Sequence, residues 1–168
     1  ARFEVRPRAL RIVIEDTAAI YPLSIDPLFN SPSWSVFGGQ ASAFFGGRVV
    51  TAGDVNRDGY SDVIVSASTF DNGEIDEGSV FLFLGSPGGL SAAPDWTAES
   101  NQAGAIIGSD AGPAGDVNGD GFADVVVAAH GFDNGQLDAG AAFVYYGFLG
   151  GLPATPSLVL EIDQAGAR

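Results

Sequence analysis

Two short loops hold most of the chemistry this chain can offer. In Asp54-Val55-Asn56-Arg57-Asp58-Gly59-Tyr60-Ser61-Asp62, oxygen-bearing side chains stand at positions 1, 3, 5 and 9, and Gly59 permits the sharp turn that points them inward. Hard oxygen donors at that spacing suit calcium, and the backbone carbonyl of Tyr60 at position 7 completes the set. Asp116, Asn118, Asp120, Phe122 and Asp124 repeat the arrangement, so two Ca2+ ions are expected. Asp, Asn and Gly also make turns without any ion. Here, however, each loop gathers three carboxylates, which repel one another unless a cation sits between them. An EF-hand would carry a bidentate Glu at position 12; counting on from Asp54 and Asp116 gives Val65 and Val127, both in strand-like runs, so the loops are not EF-hands. The metal is expected to tie one strand to the next.

The loops belong to a longer repeat. Asp54 to Gly59 returns as Asp116 to Gly121, a period of 62 residues. Phe70-Asp71-Asn72-Gly73 returns as Phe132-Asp133-Asn134-Gly135, Gly88-Gly89-Leu90 as Gly150-Gly151-Leu152, and Gln40-Ala41 as Gln102-Ala103 and Gln164-Ala165, with no insertion. Units therefore run over 39–100 and 101–162, with 163–168 starting a truncated third. Trp34 has the phase of Trp96, which makes 29–38 the expected closing strand of a preceding unit. Within a unit, Val63, Val65 and Ala67 alternate with Ile64 and Ser66, and Val80 to Leu84 is continuously apolar. Four short strands follow, near 45–52, 62–68, 79–84 and 95–99. Four antiparallel strands per unit describe a propeller blade, so the expected fold is all-β, an incomplete propeller. Residues 1–28 stand outside the repeat. Leu10, Ile12 and Ile14 alternate with Arg11, Val13 and Glu15 before a second run over Ile20 to Leu23, which reads as an N-terminal β-hairpin, an arm or the tail of an upstream domain.

On these residues the unit resembles the FG-GAP repeat of integrin α-subunit-type β-propellers, also carried by secreted bacterial proteins. Phe45-Gly46 stands where that family has its Phe-Gly, Asp54 to Asp62 matches its calcium loop, and Phe70 to Gly78 its hairpin. The second unit departs with Ile107-Gly108, and the Gly-Ala-Pro site reads Ser66-Ala67-Ser68 and Ala128-Ala129-His130. The resemblance implies a propeller commonly of seven blades, structural calcium in loops on one face and protein partners elsewhere. Seven such units would need roughly 430 residues, so the 168 residues here hold well under half a ring.

Composition narrows the function. With 21 acidic residues against 7 basic ones, all Arg, the formal charge is -14, which disfavours nucleic acid as a partner. The absence of Cys removes disulfides and thiolate chemistry, and no run of 18 apolar residues exists to span a membrane. The absence of Met suggests that Ala1 is a processed end or the start of an excerpt. His130 is the only His and sits at a strand end with no assembled partners, so hydrolase chemistry is not expected of it. The Asp71 to Asp76 and Asp133 to Asp138 hairpins offer carboxylates but read as turns. Arg57-Asp58-Gly59 is the wrong order for an adhesion tripeptide, and Gly88-Gly89 lacks the Lys and helix of a phosphate loop. Trp34 and Trp96 read as packing between blades. The four arginines at 2, 6, 8 and 11 read as a solvated strand face.

These observations predict a calcium-stabilised, non-enzymatic interaction or scaffold module, located extracellularly, at the cell surface or in the periplasm. Its partners would be another protein, further copies, or other segments of a parent polypeptide joined through open blade edges. The alternative is the non-catalytic propeller portion of a secreted polysaccharide- or lipid-active enzyme.

Overall fold

The computed structural model describes residues 32–161 and the backbone of two N-terminal strands, β1 (Arg2–Arg6) and β2 (Ala9–Val13). The chain divides into two compact units, Ala1–Ser33 and Trp34–Arg168. In the first, β1 and β2 pair antiparallel, from Arg2 opposite Val13 to Arg6 opposite Ala9. Among the described residues, the Leu10-to-Val13 run pairs with the upstream Arg2-Phe3-Glu4-Val5-Arg6, whose own alternation of charged and apolar residues is a strand signal that the arginine count obscures. The Ile20-to-Leu23 run lies outside the described residues.

The second unit is all-β among its described residues. β3 (Phe45–Gly53), β4 (Asp62–Ala67), β5 (Ser79–Phe83) and β6 (Trp96–Glu99) form one four-stranded antiparallel sheet in chain order. β7 (Ile107–Gly115), β8 (Asp124–Ala129), β9 (Ala141–Tyr145) and β10 (Leu158–Glu161) form a second. The sheets are two blades of an unclosed propeller, and the first blade's strands begin and end within one residue of the expected bounds. Register repeats as well: Val63 opposes Phe83 in the first blade and Val125 opposes Tyr145 in the second. β3 and β7 shift register at equivalent points, between Phe45 and Val49 and between Ile107 and Asp110.

The core lies between the blades. Ile64, Val80 and Leu82 of the first meet Ile107, Val125 and Val127 of the second, all essentially without solvent exposure. Each such side chain contributes about 1.5–3 kcal/mol by leaving water. The joint is also hydrogen-bonded: Gly104, Ile106 and Ile107 N–H donate to the carbonyls of Ile75, Asp76 and Glu77 at 2.8, 3.1 and 2.9 Å. Two glycines make that approach possible. A Cβ on Gly78 would lie 2.4 Å from the Ile107 carbonyl oxygen, and one on Gly108 would lie 2.7 Å from Val80 Cγ2 and 3.0 Å from Ser66 Cβ. Gly108 is the glycine of the second Phe-Gly site, and its role is contact with the preceding blade.

Trp96 spans the joint, edge-on to Tyr145 at 4.8 Å, with its Nε1 donating to the Pro153 carbonyl at 2.8 Å. Trp34 stands likewise against Phe83 at 5.0 Å and donates to Ser91 at 2.8 Å. Residues 32–38 nonetheless form no strand, because no described strand pairs with them. The remainder of the expected 29–38 closing strand lies outside the described residues.

Tyr145 is 3% exposed, and burial pushes its phenol from 10 up to about 12. The folded state therefore holds a proton that the unfolded chain releases between those values. The stabilisation is complete below pH 10 and declines by about 2–3 kcal/mol as pH rises towards 12. Tyr145→Phe, which places the residue found at Phe83, should flatten that decline in chemical-denaturation midpoints measured against pH. An unchanged slope would show that another group causes it.

Candidate metal centres

Each acidic loop is anchored by its last aspartate. Asp62 opens β4, is wholly buried, and its two oxygens accept from Val55 N–H at 2.8 Å and Gly85 N–H at 2.8 Å. One carboxylate thereby binds the loop to the exit of β5, 23 residues away. Asp124 does the same, with Val117 at 2.8 Å and Gly147 at 2.9 Å. Burial pushes the Asp62 carboxyl above the usual range; Gly85 and Val55 N–H pull it back in part, and the charges of Asp58 and Asp54 raise it further. Asp62 thus feels the charge of both other loop carboxylates.

The outer oxygens face the loop's own backbone. Asp54 accepts from Asp58 N–H and Gly59 N–H, both at 2.9 Å. Asn56 Oδ1 accepts from Asp58 N–H at 3.1 Å, Asn56 Nδ2 donates to Asp58 at 3.0 Å, and Asp58 accepts from Tyr60 N–H at 2.9 Å. In the second loop, Asp116 accepts from Gly119, Asp120 and Gly121 N–H at 2.7, 3.0 and 2.9 Å. Asn118 Oδ1 accepts from Asp120 N–H, Asn118 Nδ2 donates to Asp120, and Asp120 accepts from Phe122 N–H, at 3.1, 2.8 and 3.0 Å. Tyr60 and Phe122 take part here through these N–H groups.

The donor set fits calcium in kind: three carboxylates, one amide oxygen and no soft ligand. Among the described residues, no three His, Cys, Asp or Glu side chains converge closely enough to hold a metal as they stand. Backbone N–H dipoles partly answer the negative charge that a cation would neutralise.

The loops are also joined to each other. Arg57 lies over the Phe122 ring at 5.9 Å, and Ala123 N–H donates to the Asp54 carbonyl at 3.1 Å. Arg48 Nε pairs with Asp110 at 2.9 Å from the same phase of the neighbouring blade. Gln40 clamps Asp71, and Gln102 clamps Asp133, by reciprocal side-chain bonds to backbone N–H and C=O. Reading the sequence treated these glutamines only as markers of the period.

The remaining candidates fall as turns or surface. Asp71 and Asp133 each accept from the N–H five residues on, at 2.7 Å, which closes the hairpin turn. Positive φ falls at Gly73 and Asp76, not at Asn72. His130 is exposed just past β8. Glu77, which the sequence did not single out, is wholly buried; one oxygen accepts from Asn72 N–H at 2.6 Å and the other has no partner. The only sequence signal was its replacement by Ala139 one period on.

Comparison with known proteins agrees with this geometry. The family model for the FG-GAP repeat matches residues 45–83 and 108–145, which run from the first strand of each blade to the third. Integrin alpha-V of Gallus gallus is 35% identical over 144 residues, covering 82% of this chain and 13% of the integrin. Integrin alpha-IIb of Mus musculus is 34% identical over 103 residues, 61% of this chain and 10% of that protein. Integrin alpha-5 of Xenopus laevis is 26% identical over 137 residues, 79% and 13% respectively. The chain thus spans between 10% and 13% of the length of these relatives.

Proposed function

Because the chain carries FG-GAP repeats of the integrin α-subunit kind, we propose that it is a calcium-stabilised, non-enzymatic protein-interaction module that works outside the cell. The observation that carries this reading is the identical pinning of both loops by Asp62 and Asp124, which presents two equivalent oxygen sets beside a blade joint. Calcium on Asp54, Asn56, Asp58, the Tyr60 carbonyl and Asp62, and on Asp116, Asn118, Asp120, the Phe122 carbonyl and Asp124, would neutralise carboxylates that otherwise repel.

Extracellular calcium modules bind in roughly the 0.1–1 mM range, far above cytosolic levels, which supports an extracellular, cell-surface or periplasmic location. Partners are another protein, further copies of this chain or further segments of a longer polypeptide. The surface is suited to that role, since β10 ends its sheet and exposes Leu158, Val159 and Leu160. No helix among the described residues is long and apolar enough to cross a membrane.

Thermal melting in calcium and in chelator, run beside glycoside, lyase and lipid-ester assays, tests the reading. A lower melting point in chelator with no turnover is expected. Turnover by the purified chain, or a melting point indifferent to calcium, would overturn it.

A further inference from the structure

We propose that Asn72-Gly73, at the tip of the hairpin between β4 and β5, is a site of spontaneous succinimide modification with water as the only co-reactant, and that the fold shields the same dipeptide at Asn118-Gly119. Asn-Gly pairs stand at 72–73, 118–119 and 134–135. Asparagine is thermally labile. A following glycine, lacking Cβ, gives its amide nitrogen unhindered access to the side-chain carbonyl before it.

The chemistry balances without an oxidant or reductant. Gly73 N attacks Asn72 Cγ, the new N–C bond closes a ring, the Cγ–Nδ2 bond breaks, and ammonia departs with the proton that Gly73 N gives up. Water then opens the ring. Cleavage at Cγ leaves aspartate; cleavage at the main-chain carbonyl leaves isoaspartate, whose backbone runs through the side chain and is longer by a methylene group.

Exposure does not separate the pairs, since Asn72, Gly73, Asn118 and Gly119 are all exposed. Hydrogen bonding does. Gly119 N–H, the nucleophile of the shielded pair, donates to Asp116 Oδ1 at 2.7 Å. The amide it would attack is held at both ends, with Asn118 Oδ1 accepting from Asp120 N–H at 3.1 Å and Nδ2 donating to Asp120 at 2.8 Å. Attack there must first break bonds to charged carboxylates. At the hairpin tip, no acceptor among the described residues meets Gly73 N–H, and a Cβ on Gly73 would have nothing within 4 Å. Asn72 is anchored through other atoms: its main-chain N–H donates to the buried Glu77 at 2.6 Å, and Nδ2, the leaving group, donates to Glu99 at 2.7 Å. Asn134-Gly135 is the same tip one period on, closed by the Asp133–Asp138 bond at 2.7 Å, and is expected to react as well.

The product reaches the joint between the blades. A carboxylate in place of the Asn72 amide faces Glu99 as a like charge where the amide donated. Isoaspartate lengthens the turn held by the Asn72 N–H bond to Glu77 and the Asp76 N–H bond to Asp71. The carbonyls that end this turn, of Ile75, Asp76 and Glu77, accept from Gly104, Ile106 and Ile107 of the second blade. Modification therefore loosens the contact between blades.

The test is peptide mapping by mass spectrometry after incubation in warm, mildly alkaline buffer with chelator, on chain shown to be folded by circular dichroism; isoaspartyl methyltransferase labelling identifies the isoaspartate. Product at 72 should form roughly 10-fold or more faster than at 118, the factor in rate that a hydrogen bond to a charged group supplies. In urea, where no fold protects either pair, the two rates should come together. Asn72→Gln, whose longer side chain disfavours the ring, should keep more of its melting temperature through the same incubation than the unaltered chain. A rate at 72 no faster than at 118 in the folded chain, a difference that persists in urea, or equal losses of melting temperature would overturn the proposal.

Discussion

Asp62→Ala, assayed in chelator so that no metal contributes, lowers the unfolding free energy by about 3–5 kcal/mol. The carboxylate is wholly buried and is the acceptor for both Val55 N–H and Gly85 N–H. Removing it leaves two buried donors unpaired, each costing about 1–3 kcal/mol. The oxygens vacated leave a void whose lining loses packing. Asp62→Asn retains the shape but turns an amide N–H2 towards one of two N–H donors, so it should recover less than half of the loss. Asp124→Ala should match Asp62→Ala, since Val117 and Gly147 stand in the same positions. Urea unfolding with an unchanged slope measures the difference. A loss under 1 kcal/mol would mean that water supplies the missing acceptor and that the loop is not pinned from below.

Calcium should have an effect of similar size through the other face of the same loops. With dissociation constants of roughly 0.1–1 mM, calcium at 10 mM stabilises each site by about 1.4–2.7 kcal/mol. Two equivalent sites give about 3–5 kcal/mol, which corresponds to roughly 6–20 °C in melting temperature for a chain of this size. Asp54→Ala should remove about half of that shift and Asp116→Ala the other half, because the loops are equivalent and sit in different blades. Magnesium should be a poor substitute, since it dehydrates reluctantly and demands octahedral geometry. A shift that survives both substitutions would place the ion elsewhere.

The blades were legible because the repeat states each strand twice. Val63 to Ala67 and Val125 to Ala129 carry the same period-two pattern, and independent noise does not recur 62 residues apart. The N-terminal segment occurs once, with no second copy to guide its reading, and there the pairing with Arg2–Arg6 was not foreseen. In the loops, the oxygen pattern carried no sign of the division of labour among its side chains. Position 9 differs from the rest because Gly85 and Gly147, each 23 residues onward, reach back to it. A spacing rule within nine residues carries no information about that contact. The same limit hid the Arg48–Asp110 pair, whose members are legible as repeat-equivalent only once the blades are seen to stack.

Calorimetric titration of calcium into four chains tests the central claim most directly: the unaltered chain, Asp54→Ala, Asp116→Ala and the double variant. The account predicts two bound ions, then one, one and none, with the variants still folded by circular dichroism. Undiminished binding in the double variant, or no binding to the unaltered chain at calcium concentrations of tens of millimolar, would contradict it.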